Sequence, residues 1–466
     1  MRQLTKNFLS LASSEIARKV LGFLAVAYLA RKLSLADFGL VSLGFTILSY
    51  TINISTAGLN LYGIRETAHG SANTLAGRLL SLRLAIASVV FVLTALIGAI
   101  FVQDPTMMKL IVAFNCSLFA QSLLLEWHFQ GKEQMNTISF GKSVTAAVYL
   151  VLVLLLVRSD HDILWVAVAA VSGDIVMMFF YYMKYRREGN EVRLSVDRSA
   201  WKQMLQQSLP LGIGTVLGQI SINLAPLIIA IILTNNDVGL YSAASKLVVF
   251  LLLFDRVFGV LLLPASARLK SVSPEQLSPR LGEALRWILL AALPICVGGT
   301  LLSNDIIQLV FGGNFAPAGG LFRILIWFLC FTMIHTVFTS GLVAVAPSGV
   351  YGRVMGISAI VYVVSITVLT RFYGLEGAVF AVVCSEGVTL LVARRSLRPY
   401  LHIRTSVPIH WVITALAVMA IVVIMLEPYN VVLRVLVGAL LYMSTIVLLR
   451  VCTLTEIAGL VWRKST

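Results

Sequence analysis

The sequence predicts an all-α polytopic membrane protein of about fourteen transmembrane helices, arranged as two pseudo-symmetric six-helix lobes plus two C-terminal helices. Three observations predict it. Of 466 residues, 59% are hydrophobic and 12% charged, with a mean hydropathy of +0.92. A soluble domain carries about 45–50% apolar and about 25% charged residues. The apolar residues fall into fourteen stretches of about 17–25 residues, each long enough as a helix to cross about 30 Å of hydrocarbon. A segment near residue 30 recurs 200 positions later without a gap. A soluble enzyme, a disordered regulator and a secreted disulfide scaffold are excluded.

The first two spans are expected over 13–33 and 38–59. Ala25-Val26-Ala27 imitates a signal-peptidase site but lies inside the first apolar stretch, so that helix is expected to be retained. In the second span Ser42, Thr46, Ser49, Asn53, Thr56 and Asn60 recur at steps of three and four, on one helix face. Facing lipid would be costly for the asparagines, so this face meets either a water-filled cavity or another helix. Spans 3 to 6 follow at 79–102, 108–129, 138–157 and 163–183, and a polar gap at 184–207 is too short for a folded domain.

Span 7, at 208–233, carries a comparable face of Ser208, Gly212, Thr215, Gln219, Asn223 and Pro226, with Pro210 and Pro226 expected to kink it or mark its ends. Spans 8 to 12 are expected at 239–263, 285–303, 318–343, 352–370 and 375–393, and two more at 408–426 and 430–450.

The repeat ties these together. Ala30, Leu33, Asp37, Gly39, Leu40 and Ser42 match Ala230, Leu233, Asp237, Gly239, Leu240 and Ser242. Each copy lies between an odd span and the next even one, six spans apart, so the repeat is parallel. A weaker echo sets Asp174 in span 6 against Glu386 in span 12. The expected organisation is an N-lobe over 1–195, a C-lobe over 196–400, and two extra helices with a short tail over 401–466. Asp37 and Asp237 are expected to cap the following helices, and Gly39 and Gly239 to permit a tight entry.

Charge sets the orientation. The net charge is +15, with 36 basic and 21 acidic residues. With a cytoplasmic N-terminus, twenty-seven basic residues fall on inner segments and six on outer ones, as the positive-inside rule requires. Both termini are then cytoplasmic, and nucleic-acid binding is not needed to explain the basic charge. Cys116, Cys296, Cys330, Cys384 and Cys452 have no CxxC spacing and read as small apolar residues. The six histidines, His335 among them, show no metal-ligand spacing. No GxxxxGK[ST], GxSxG or HExxH occurs. No metal, no cofactor and no catalytic residue is expected.

Ionisable residues within spans mark function or structural pairing. Lys246 lies about two turns into span 8 and Arg323 one to two turns into span 10; substrate contact and a structural ion pair are even alternatives for both. Arg256 follows Lys246 about 80° round the helix, beside Asp255. Arg83 and Arg286, near span ends, are expected mainly to snorkel to the inner interface. The surplus of cations suits an anionic phosphate or pyrophosphate substrate, although Glu126, Asp174, Asp255 and Glu386 are available as partners.

Several segments resemble a known family. Leu29-Ala30-Arg31-Lys32-Leu33-Ser34-Leu35-Ala36-Asp37-Phe38-Gly39-Leu40 resembles the first-hairpin signature of bacterial polysaccharide flippases of the O-antigen (Wzx-like) type. These belong to the multidrug/oligosaccharidyl-lipid/polysaccharide exporter superfamily. Glu126-Trp127-His128-Phe129-Gln130-Gly131-Lys132 and Asp237-Val238-Gly239-Leu240-Tyr241-Ser242 are similar to that group's later signatures, as are Phe311-Gly312-Gly313-Asn314-Phe315 and Gly374-Leu375-Glu376-Gly377-Ala378. The resemblance covers roughly 10–395. It implies translocation of an undecaprenyl-pyrophosphate-linked oligosaccharide (an O-antigen, capsule or exopolysaccharide repeat unit) across the bacterial inner membrane by alternating access. It also implies H+ or Na+ as a candidate coupling ion and a polysaccharide polymerase as a candidate partner. The substrate path is expected to use Lys246, Arg323, Arg31, Lys32, Arg83, Asn53, Asn60, Gln219 and Asn223.

Two other functions compete. An ion-coupled multidrug exporter on the same fold would need an apolar cavity and a coupling acid, yet residues 20–30 hold no acid. A membrane polysaccharide polymerase or ligase would need a long outer loop; the longest here, about 304–317, is short and Gly-rich.

Overall fold

The computed structural model describes residues 2–69, 72–403 and 407–452, and within them the chain is helical with no strand. It divides into two compact units, Met1–Ser242 and Ala243–Thr466. The first holds α1 (Arg2–Lys32), α2 (Leu35–Thr56), α3 (Leu59–Ala68), α4 (Ala72–Phe101), α5 (Pro105–Asn115), α6 (Ser117–Ser122), α7 (Glu126–Gly131), α8 (Met135–Leu156), α9 (Ile163–Arg187), α10 (Arg198–Ile232) and the start of α11 (Asn235–Leu251). The second holds the rest of α11, α12 (Leu253–Val272), α13 (Pro274–Leu301), α14 (Ser303–Phe311), α15 (Ala318–Leu325), α16 (Trp327–Val345), α17 (Ser348–Leu397), α18 (Ile409–Met425) and α19 (Val431–Leu448).

Nine helical segments among the described residues are long and apolar enough to cross a membrane. They contain ten of the fourteen expected spans, because α17 carries two. An unbroken helix of its 50 residues would measure about 75 Å, more than twice the hydrocarbon thickness. Gly374, at φ 61° and ψ −143°, divides it, between the spans expected at 352–370 and 375–393. The other four expected spans lie on α1, on α5 to α7, on α10 and on α18. The last two present shorter apolar pieces, Asn223–Ile232 and Ile409–Met425. Large apolar side chains point outward, among them Ile100 (73% exposed), Ile231 (79%) and Leu448 (81%). Water would not tolerate such a surface, whereas lipid does. The protein is a multi-pass membrane protein.

Three expected spans are interrupted. α2 stops at Thr56 because Ala57 and Gly58 take left-handed φ values of 45° and 76°. A side chain at Gly58 would lie 2.3 Å from the Ser208 carbonyl oxygen, so the break lets α10 approach closely. Span 4 is three short helices, α5 to α7. Span 8 carries one turn residue, Leu252, between α11 with Lys246 and α12 with Arg256; it keeps right-handed helical angles, and the Leu252 and Arg256 N–H groups still donate to the Val248 and Leu252 carbonyls. The outer stretch 304–317, expected as a loop, is largely taken up by α14 and a 3₁₀ turn at Gly313–Phe315.

The repeated hairpins are built alike, in a way the sequence only half indicates. Ser34, not Asp37, caps α2: its hydroxyl accepts the Asp37 N–H at 3.1 Å and donates to the Asp37 carboxylate at 2.6 Å. Thr234 stands in the same relation to Asp237, at 3.3 and 2.6 Å, and its own N–H donates to that carboxylate at 3.1 Å. The acids therefore sit one turn in, and Asp237 closes a capping box. Gly39 and Gly239 serve a different purpose from a tight entry, since both are buried within helices. A Cβ on Gly39 would lie 2.1 Å from the Asn235 carbonyl oxygen, and a Cβ on Gly239 2.2 Å from that of Leu35. Each glycine admits the backbone of the other hairpin.

Beyond the C-terminal end of α2, the first unit packs Trp127, Phe129, Tyr181 and Tyr185, all fully buried, against Leu79 and Leu59. In lipid such burial gains little from excluding water, so packing and polar contacts decide stability. The polar gap lies over α4. Ser81 donates to the Ser195 carbonyl at 2.6 Å, and Arg78 pairs with Asp197 at 3.2 Å. Asp197 caps α10, and the hydroxyl of Ser199, with the Ala200 N–H and the Arg78 charge, holds its carboxyl below the ordinary range.

Candidate functional site

The first unit encloses a cavity of about 490 Å3 between α1, α2, α6 to α9. One wall is apolar, with Phe45, Leu48 and Ile52 from α2; the other brings in Arg18, Gln121, Glu126, Lys142, Tyr149 and Asp174. Lys142 and Glu126 form an ion pair at 2.6 Å, partly exposed and so partly screened. The Gln121 amide donates to Asp174 at 3.0 Å. Lys142 had counted among the inner-segment cations; the fold turns it into the cavity.

The polar face of span 2 points elsewhere. Thr46, Asn53 and Thr56 donate to carbonyls of their own helix, at 2.8, 2.7 and 3.0 Å. Across to α10, the Asn223 amide reaches the Ser49 hydroxyl at 3.4 Å. The two polar faces expected in spans 2 and 7 therefore meet at this point, and the contact is helix packing. Asn60, the last member of the stripe, is exposed on α3. The Gln219 side chain, on α10, lies outside those described.

The cations separate by environment. Arg83 does not snorkel: only 2% exposed, it donates to the carbonyl of Leu124 at 3.1 Å and to that of Gln121. These carbonyls lie at and just past the C-terminal end of α6, and that of Gln121 also accepts the Leu124 N–H at 3.3 Å. Arg286 is half-buried; it donates to the Val451 carbonyl and sits 5.8 Å from the Trp287 ring. Arg31 and Lys32 are exposed at the C-terminus of α1, where positive charge suits the helix dipole, and Lys32 lies 5.9 Å from the Tyr28 ring. Arg323 is exposed on α15, with its Nε 3.4 Å from the Ser303 hydroxyl. Lys246 is half-buried on α11, and no described carboxylate lies within ion-pair distance of it.

In the second unit two acids reach across to α16. Glu386 on α17 pairs with Nδ1 of His335 on α16 at 3.1 Å, and both side chains are about 15% exposed. Asp255 on α12 accepts from the Thr336 hydroxyl at 2.7 Å. Two consecutive residues of α16 thus hold one acid each, from two different helices. The sequence offered a hint that spacing analysis passed over: His335 and Glu386 are both ionisable residues within apolar spans, which is rare without a reason. Asp174 and Glu386, matched by the repeat, both face the interior of their own unit. A second cavity, about 760 Å3, opens beside Arg394, Arg395, Arg398 and His402. Among the described residues no group of three or more His, Cys, Asp or Glu is placed to hold a metal ion.

Known proteins bear on this geometry. The fold is similar to that of a lipid II flippase, MurJ, in an inward closed conformation, with a TM-score of 0.77 at 13% identity, covering 94% of this chain and 98% of that one. It is also similar to an inward-facing multidrug resistance MATE family transporter of the MOP superfamily, with a TM-score of 0.64 at 15% identity over 82% and 94% of the two chains. At such identities the likeness shows a common fold. Among curated proteins, the chain is 24% identical over 178 residues to the probable low-salt glycan biosynthesis flippase Agl15 of Haloferax volcanii. That match spans 38% of each chain. The family model described as polysaccharide biosynthesis protein matches residues 4–270, more than half of the chain, and the protein belongs to that family.

Proposed function

We propose that this protein is a flippase. It moves an undecaprenyl-pyrophosphate-linked oligosaccharide, of the O-antigen, capsule or exopolysaccharide repeat-unit kind, from the cytoplasmic to the outer leaflet of a bacterial inner membrane. The observation that carries the reading is the family match over residues 4–270, on a fold like that of a lipid II flippase. A family engaged in polysaccharide biosynthesis, built almost entirely of apolar helices, handles its sugar in or across the membrane. The curated relative described as a glycan biosynthesis flippase supports the same substrate class.

The chemistry fits a charged lipid head group. Lys246 is an intramembrane cation without a described carboxylate partner, and a pyrophosphate is the kind of anion that offsets such a charge. Lys246 is the first substrate contact in this reading, with Arg323, Arg31 and Lys32 as further candidates. The reading assigns Arg83 to holding α6. Transport proceeds by alternating access, with the crossing of the repeated hairpins at Gly39 and Gly239 as its pivot. The protein carries no catalytic step, its termini are cytoplasmic, and a polysaccharide polymerase receives the product. The multidrug exporter remains the second reading, favoured by the likeness to the MATE transporter fold.

Binding separates the two. Protein in nanodiscs is titrated with polyprenyl-pyrophosphate oligosaccharide and with a cationic dye. The glycolipid is expected to bind, and Lys246→Ala to weaken it about ten- to a hundredfold, the worth of a charge-assisted hydrogen bond of about 1.5–3 kcal/mol. Binding of the dye alone would support the exporter reading.

A further inference from the structure

We propose that His335 and Glu386, with Asp255 and Thr336 beside them, form the proton-binding site through which transport is driven. The inference rests on the flippase reading for what is driven, but not for whether the proton binds.

The argument starts from hydrogen-bond valence. An ionised carboxylate only accepts, so the 3.1 Å contact between Glu386 Oε1 and His335 Nδ1 places the imidazole hydrogen on Nδ1. The neutral ring then presents a lone pair at Nε2. That nitrogen is buried and has no hydrogen-bond partner among the described residues. One turn before it on the same helix, the Thr332 hydroxyl is also buried and unpartnered. Buried polar atoms are seldom left unsatisfied, and two in one turn call for an explanation. A proton supplied from water forms an N–H bond at Nε2. The ring becomes an imidazolium held by Glu386, and the charge on that pair goes from −1 to zero. Its return to water on the other side breaks the same bond and restores the first state.

The surroundings make this change consequential. From α12, Asp255 interacts electrostatically with both Glu386 and His335, and with the exposed Arg256 beside it. From α17 the facing group is Glu386. On α13 the titratable side chains are engaged elsewhere: Cys296 donates to the Ile326 carbonyl, Arg286 to Val451 and Glu283 accepts from Arg280. On α15, Arg323 is turned to Ser303. The proton thus alters the electrostatic tie between α12, α16 and α17, three helices of the second unit, and can bias two packings of them. Histidine is the side chain whose ordinary titration falls in the range separating cytoplasm from a more acidic exterior. Sodium is a poorer fit, because hard cations take oxygen ligands and an imidazole already holds Glu386.

The test reads leaflet distribution in proteoliposomes containing fluorescent undecaprenyl-pyrophosphate oligosaccharide. The membrane potential is clamped at zero, and the medium facing the outer side is one pH unit more acidic. With one proton per glycan, that gradient sustains about a tenfold leaflet ratio. His335→Gln and Glu386→Gln are expected to reach a ratio of about one, while Glu386→Asp, which keeps the charge, retains most of it. A sodium gradient alone is expected to sustain none. Wild-type ratios in both neutral variants, or a ratio driven by sodium, would overturn the site. Should the wild-type protein move no glycan, the flippase reading fails, and proton counting decides the site alone. Between pH 5 and 8 the detergent-solubilised wild type is expected to bind about one more proton per chain than His335→Gln, and an equal count would overturn the site.

Discussion

The crossing of the two hairpins predicts that Gly39→Ala is damaging far beyond what a methyl group usually does. Built on the present backbone, the new Cβ would stand 2.1 Å from the Asn235 carbonyl oxygen and 3.0 Å from the Gly239 nitrogen. Ordinary contact begins near 3.4 Å, so the two hairpins must part by about 1.3 Å. Both obstacles are backbone, and no side chain can turn aside to accommodate the methyl. Overpacking of this kind costs about 1–3 kcal/mol. Gly239→Ala meets the Leu35 carbonyl in the same way, at 2.2 Å. Once the first substitution has opened the crossing, the second finds room, so the double variant is expected to lose clearly less than the sum of the two. Gly298→Ala, on α13 with nothing within 4 Å, is the control, neutral or stabilising by up to about 1 kcal/mol because alanine favours helix. The assay is the thermal midpoint of monodisperse protein in detergent. Single variants as stable as Gly298→Ala, or a double variant showing full additivity, would refute the close crossing.

Three further outcomes follow from local geometry. Arg83→Met removes the side-chain donor of the Leu124 and Gln121 carbonyls, of which Gln121 keeps the Leu124 N–H; it is expected to lower stability by about 2 kcal/mol, and a stable variant defective only in transport would move Arg83 to the substrate path. Arg434 is buried and donates to the Val423 carbonyl at 3.1 Å and to Asp305 at 2.7 Å, tying α19 to α18 and α14; Arg434→Met should loosen the C-terminal pair, seen as faster proteolysis after residue 400, and unchanged proteolysis would contradict the tie. At the end of α9, burial raises the Glu188 carboxyl, but hydrogen bonds from Lys132 and Gln134 and the Lys132 charge outweigh it and hold the group below its ordinary value of 4.5. A lowered carboxyl stabilises above the unfolded-state value and stops doing so as pH falls through the folded-state one. Glu188→Gln should therefore cost under about 1 kcal/mol at pH 7, given the exposed Lys132, and the deficit should close as pH drops below 4.5. A deficit that persists in acid would show another cause.

Much of the architecture was legible because lipid imposes it. The long apolar stretches can be read directly from hydropathy, and the helices follow them. The repeat was legible because Asp37 and Gly39 recur as Asp237 and Gly239. Their roles were not, since a capping box and a close crossing look alike in sequence until the cap residue is seen to be Ser34 or Thr234. Breaks were hidden for another reason: hydropathy does not register φ, so Ala57–Gly58 reads as continuous helix, and the turns at Leu252 and around α6 fall within equally apolar sequence. Side-chain partners were the least legible. Glu126 finds Lys142, Glu386 finds His335 and Asp255 finds Thr336, each across helices whose spacing in sequence carries no periodic signature. Polar residues such as Asn53, which bond their own helix, resemble cavity-lining residues until the neighbour is known.

The most direct test of flippase activity is leaflet translocation by the purified protein without any gradient. Liposomes carry fluorescent undecaprenyl-pyrophosphate oligosaccharide, and a membrane-impermeant glycosidase reports how much sugar the outer leaflet holds. The expected result is protein-dependent access to the inner-leaflet pool, slowed at least tenfold by Lys246→Ala with folding intact. An inner-leaflet pool that stays protected across several sugar head groups, in vesicles whose protein still exports cationic dyes, would contradict the account.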